Sequence, residues 1–184
     1  MKGSVFIATS LDGFIARADG ALDWLPTGGG ESHGYDEFMA TVDALVIGRK
    51  TYETVLAFGA WPYGKKPVFV LSTRPAVDAA PEGAVLEMMG GTPLAIATQL
   101  AQRGMPHLYI DGGVTIQGFL RAGLIQRVII TRIPVLLGSG IPLFGPLAHD
   151  IRFEHLATRS YASGMVQSEY RVAVQERNDA TGGG

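Results

Sequence analysis

Hydrophobic positions in this chain fall in short solid blocks rather than in alternation, and the blocks end on small and polar residues. Ala44-Leu45-Val46-Ile47 runs into Gly48-Arg49-Lys50-Thr51, Val68-Phe69-Val70-Leu71 into Ser72-Thr73-Arg74, and Leu108-Tyr109-Ile110 into Asp111-Gly112-Gly113. Apolar, partly β-branched blocks of this length read as strands covered on both faces. Residues 3–9 and 128–133 add two more such strands, the first of them central, and residues 85–88 a short one. Helices are predicted over 33–41 with Ser32 as cap, from near Lys50, from Thr92-Pro93, and over 114–122. Leu94, Ala97, Leu100 and Ala101 give the third helix its apolar stripe, and Gly104 stops it. Residues 10–32, broken by Gly13, Gly20 and Gly28-Gly29-Gly30, read as irregular, as do residues 59–66 and the turn-rich stretch 136–143. Residues 151–161 and 165–174 read as a hairpin around Ser163-Gly164, with Val166, Ser168, Tyr170, Val172 and Val174 on one face.

This order of elements predicts an α/β fold of three layers, α/β/α. Its central sheet is mostly parallel and closes in an antiparallel C-terminal β-hairpin. Residues 1–175 are expected to form one domain and residues 176–184, polar and Gly-rich, a disordered tail. Ligands of such sheets bind at the carboxyl ends of the strands, and all three polar clusters sit there. Glycine after a buried strand lets a phosphate approach the backbone, and the helix that follows offers unpaired N–H groups and a positive dipole end. The clusters therefore point to a nucleotide ligand with several phosphates.

Composition narrows this reading. A net charge of −2, from 15 basic and 17 acidic residues, gives no basis for a nucleic acid or anionic-membrane partner. The absence of cysteine excludes disulfides, thiolate nucleophiles and thiolate metal sites, and suits a cytoplasmic protein. The apolar run Val5-Phe6-Ile7-Ala8 is too short for a signal-peptide core, and no stretch is long enough to span a bilayer. His33, His107, His149 and His155 lie far apart without ligand spacing, so no metal is expected.

Each polar residue has a plainer alternative. Gly112-Gly113 contacts phosphate or simply makes a tight turn, and Arg49 contacts phosphate or forms a surface salt bridge. Ser72-Thr73 binds a ligand or bonds its own backbone, and Asp12 is a turn residue before Gly13 or a substrate contact. Asp23-Trp24 caps a turn and packs the core, or Trp24 roofs the substrate pocket.

The segments Ala8-Thr9-Ser10-Leu11-Asp12-Gly13-Phe14-Ile15-Ala16, Val46-Ile47-Gly48-Arg49-Lys50-Thr51-Tyr52-Glu53, Val70-Leu71-Ser72-Thr73-Arg74-Pro75 and Tyr109-Ile110-Asp111-Gly112-Gly113 resemble the dihydrofolate reductase superfamily. So does the stretch from Pro134 to Phe144. The closest resemblance is to the branch related to the reductase domain of the riboflavin-pathway deaminase/reductase, from about Val5 to Val174. The resemblance implies NADPH as cofactor and hydride transfer to a small heteroaromatic or ribosylaminopyrimidine-type substrate, as in a 5-amino-6-(5-phosphoribosylamino)uracil reductase. It implies that Gly48, Arg49, Lys50 and Thr51 hold phosphates, and that Leu71, Ser72, Thr73 and Arg74 frame the adenine ribose and its 2′-phosphate. Asp111, Gly112, Gly113, Val114 and Thr115 would wrap the pyrophosphate, with a cis peptide beside the glycine pair. Ala8 and Ile15 would touch the nicotinamide, residues 10–24 would form a closing loop, and Trp24 and Tyr52 would face substrate. It also implies a homodimer built on the closing strands.

The substrate half departs from both reference enzymes. Folate reductases carry an acid on the first helix, where this chain has Ser32, and Asp36 lies one turn further on. Riboflavin-pathway reductases carry Asp-Asp-Pro after the second strand, where this chain has Tyr52-Glu53-Thr54-Val55. The proton would come from water, or from Asp12 or Asp36 if burial raised its pKa. An NADP-binding protein of the same fold without turnover, and dihydrofolate reductase proper, are the alternatives.

Overall fold

The computed structural model describes residues 1–26, 33–74 and 80–173. The expectations at Gly28-Gly29-Gly30, Ser32, Pro75, Val174 and the 176–184 tail lie outside these residues. The chain runs β1 (Lys2–Thr9), β2 (Phe14–Ala16), α1 (Tyr35–Ala40), β3 (Ala44–Gly48), α2 (Arg49–Leu56), β4 (Val68–Leu71), β5 (Leu86–Met89) and α3 (Pro93–Gln102). It continues through β6 (His107–Asp111), α4 (Gly113–Arg121), β7 (Ile125–Arg132), β8 (Ile141–Pro142), β9 (Phe153–Ser160) and β10 (Val166–Val172). The main sheet has the order β5-β4-β3-β6-β1-β7-β10-β9. Pairing is parallel from β5 to β7 and antiparallel through β10 and β9.

Strand alternation splits the buried residues into two layers. Val5, Ala44, Val46, Phe69, Leu108 and Ile110 point to the side covered by α3 and α4, through Ile96, Leu100, Ile116 and Phe119. Leu45, Ile47, Val68, Val70 and Tyr109 point to the side covered by α1 and α2, through Phe38, Tyr52 and Val55. The three-layer α/β/α arrangement with an antiparallel closing hairpin is the expected one. No helix among the described residues is long and apolar enough to cross a membrane.

Four local expectations need correction. The first helix begins at Tyr35, not near 33. Gly34 is its cap in the left-handed region (φ 79°) with no side-chain hydrogen bond, because Gln167 Nε2 holds the preceding His33 carbonyl at 2.9 Å and the chain turns after it. On α3, Thr92 and Pro93 make the expected start, but Leu94 is 63% exposed. The inward stripe is Ile96, Ala97 and Leu100, from which Leu94 lies more than a quarter turn away. Strand β7 starts three residues earlier than expected, because Ile125 pairs with Gly3. The irregular stretches 10–32 and 136–143 contribute a small ribbon, β2 with β8, pairing Phe14 with Pro142 and Ala16 with Ile141. Strands of three and two residues are too short to leave a periodic trace.

Phe119 is fully buried between α4 and the sheet. Phe119→Ala is expected to lower unfolding free energy by about 3–5 kcal/mol, read as a lower urea midpoint at unchanged slope.

Candidate functional site

Strand order creates the site. The chain steps outward from β3 to β4 and β5, then returns to place β6 between β3 and β1. Neighbouring β3 and β6 therefore send α2 and α4 to opposite faces, which opens a crevice at their carboxyl ends. Gly48 caps α2 and Gly112 caps α4, and neither glycine supplies a side-chain hydrogen bond to its helix start. A Cβ on Gly48 would stand 2.9 Å from Thr115 Oγ1, and one on Gly112 would overlap Thr51 Oγ1. Each turn thus presses against the first turn of the other helix. Gly112 lies at φ 92°, ψ 134°, where a side chain is strained. The cis peptide expected beside it is absent, as no peptide among the described residues is cis; the positive φ of Gly112 makes the turn instead. The N–H groups of both first turns point into the crevice with the positive ends of both dipoles.

The third cluster joins the other two. Gly48 pairs with Leu71 across β3 and β4, and Arg49 Nη1 donates to Ser72 Oγ at 3.3 Å. Arg49 Nε also donates to Glu53 Oε1 at 2.9 Å, one turn along α2. Ser72 Oγ accepts from the Arg74 amide at 3.0 Å and donates to the Arg74 carbonyl at 2.9 Å. Both plain alternatives, the salt bridge and the hydroxyl bonding its own backbone, are therefore realised. Lys50, Thr73 and Arg74 are exposed beside them. Val114, on the first turn of α4, is 81% exposed.

The β1–β2 connection forms the opposite wall. Ala8 pairs with Thr131, and the Ile15 side chain lies 3.0 Å from where a Cβ on Gly113 would sit. Ser10, fully buried, donates to Asp12 Oδ1 at 2.6 Å. Asp12 accepts from the amides of Leu137 at 3.2 Å and Gly138 at 2.7 Å. These bonds, the Ser10 hydroxyl foremost, hold the exposed Asp12 carboxyl below its ordinary pKa. Asp12 thus anchors a turn. Arg17 clamps Asp23 at 2.6 Å, while Trp24 is half-buried and its Nε1 has no acceptor among the described residues.

On the α1/α2 side of the crevice sits Asp111. Burial pushes its carboxyl up to about 6, against the lowering pull of the Gly112 amide at 2.7 Å. Around it stand phenols. Burial, then the Asp111 charge, raises Tyr35 to about 12 and pushes up Tyr63 and Tyr109 as well. Tyr109 donates to the Phe6 carbonyl at 2.8 Å. Trp61 stands edge-on to Tyr63 at 5.1 Å and to Tyr52 at 6.4 Å. Tyr52 is 3% exposed in the layer beneath α2, so its ring packs core, and Asp36 is exposed on α1. Sequence reading missed Tyr35 and Tyr63. The available signal was the spacing of Tyr109 and Asp111, which strand alternation puts on one face.

The profile of the family described as the RibD C-terminal domain matches residues 2–167. The uncharacterized protein YwjB of Bacillus subtilis is 37% identical over 172 residues, 92% of this chain and 97% of that one. A Shewanella sp. PV-4 protein named for riboflavin biosynthesis has a structure that superposes at a TM-score of 0.86 with 43% identity, over 94% of this chain and 99% of that one. A dihydrofolate reductase from Enterococcus faecalis complexed with NADP(H) shares the fold at a TM-score of 0.62 and 19% identity, over 93% of this chain and 96% of that one.

Asp12→Ala removes the acceptor that ties residues 137 and 138 to the β1–β2 turn. Amide hydrogen exchange of Leu137 and Gly138 is expected to accelerate, while that of the β3 and β6 core amides stays unchanged.

Proposed function

The chain belongs to the RibD C-terminal domain family, and on that premise we propose that it is an NADPH-dependent reductase of a small heteroaromatic or ribosylaminopyrimidine-type substrate. The observation that carries this reading is the pair of glycine-led helix starts pressed together at the strand switch point. The residues present fit a dinucleotide. The glycines let the two first turns close on one another through Thr51 and Thr115, Arg49 begins α2 beside them, and Ser72, Thr73 and Arg74 stand one strand away, where a ribose phosphate would reach. The Asp111 carboxylate takes the Gly112 amide at 2.7 Å, so the diphosphate would lie against the first turn of α4 beyond Gly112.

Bound there, NADPH would supply a hydride to a C=N or C=O carbon of the substrate. The protein's part is orientation and exclusion of water. Ala8 and Ile15 would wall the reacting ring, and Tyr35, Tyr63 and Asp111 would line the substrate side. Asp111 suits the proton better than Asp12 or Asp36, because burial raises its carboxyl to about 6. Asp12 is held ionised by its hydrogen bonds, and Asp36 is solvated. The exposure of Asp36 favours the second reading, an NADP-binding protein without turnover, which predicts tight cofactor binding and no oxidation over any substrate panel.

NADPH oxidation across dihydrofolate and pyrimidine ribityl and ribosyl substrates tests the reductase reading. Arg49→Ala is expected to weaken NADPH by about 1.5–3 kcal/mol and NADH less; equal losses would show that Arg49 does not read the 2′-phosphate. With Asp111 as donor, turnover should fall as pH rises through about 6, where the carboxyl loses its proton. Asp111→Asn should lower turnover and flatten that limb; an unchanged pH profile would refute the assignment.

A further inference from the structure

The ribose corner of the crevice holds opposite charges. Arg49, at the start of α2, is the residue that joins the ends of β3 and β4 through Ser72. Its guanidinium is also paired to Glu53 at 2.9 Å, a contact fixed by the i, i+4 geometry of the helix. Arg49 is 24% and Glu53 54% exposed at the side chain, so the pair stands at the rim and not in the core. The opposite charges imply opposite preferences. An arginine at this kind of corner favours a 2′-phosphate, and a carboxylate favours the unmodified 2′-hydroxyl, which it can accept from. Here the carboxylate takes the Nε edge of the same guanidinium that a phosphate would use. A bidentate grip on phosphate needs two N–H groups in one plane, and one of them already serves Glu53 while Nη1 serves Ser72.

Resting on the reading of this crevice as a dinucleotide site, we infer that Glu53 sets its cofactor preference, by competing with the 2′-phosphate for Arg49. Glu53 therefore narrows the gap between NADPH and NADH. The chain is poised to accept both, and one carboxylate holds the balance. Arg74, exposed on the neighbouring turn, supplies a positive charge that Glu53 does not engage, so NADPH stays the better ligand.

The test is a fluorescence titration of the full chain with NADPH and NADH, for the wild type, Glu53→Gln, Arg49→Ala and the double variant. Glu53→Gln should tighten NADPH roughly three- to tenfold and leave NADH within about twofold. The gain should shrink at high ionic strength, since the corner is exposed. In the Arg49→Ala background the same substitution should have little effect, because its route is removed. An unchanged NADPH:NADH ratio in Glu53→Gln, or an undiminished gain without Arg49, would overturn the role of Glu53 while leaving the site intact. Failure of the wild type to bind either dinucleotide would instead overturn the reading of the site.

Discussion

The reciprocal contact between two strand-to-helix turns is the constraint on which the rest of the architecture depends. Thr115 presses on the backbone of Gly48, and Thr51 presses on that of Gly112. The contact is possible only because β3 and β6 are neighbours in the sheet although helix α2, two strands and helix α3 separate them in the chain. It brings two helix starts, each led by glycine, into contact. A side chain on either glycine would press on the threonine of the other turn.

Charge around that contact is sorted by strand face. Arg49 reaches the end of β4 through Ser72, whereas Asp111 turns with Tyr109 toward the phenols on the α1/α2 side. Strand alternation does the sorting. Residue 111 is the last of β6 and takes the face of Tyr109, while residues 112 and 113 begin the turn. The carboxylate that ends β6 thus also bonds the amide of the glycine turn that follows it.

Legibility in the sequence followed the strength of the local signal. Solid apolar blocks such as Ala44–Ile47 left no other assignment than buried strands, and their polar ends located the crevice. Thr92-Pro93 announced a helix start by its own chemistry. The β2–β8 ribbon was invisible, since five residues carry no period. The start of α1 was misplaced because it is set by a tertiary bond, from Gln167 to the His33 carbonyl, across 134 positions. Asp12 was legible as a turn residue but not as the tie to Leu137 and Gly138, which again depends on distant chain. Residues whose role is decided by their immediate neighbours were readable; those decided by what packs on them were not.

The reciprocal glycine–threonine contacts also bear on how the chain tolerates inherited change. Position 48 has ordinary extended dihedrals (φ −77°, ψ 159°), so alanine there meets no backbone objection, only the hydroxyl of Thr115. Drift at 48 is therefore conditional on a prior loss of that hydroxyl, and the two sites are bound to vary as a couple. Position 112 has no such escape, because shrinking Thr51 would relieve the collision but not the dihedral. One turn of the crevice is open to stepwise substitution, and the other is closed to it.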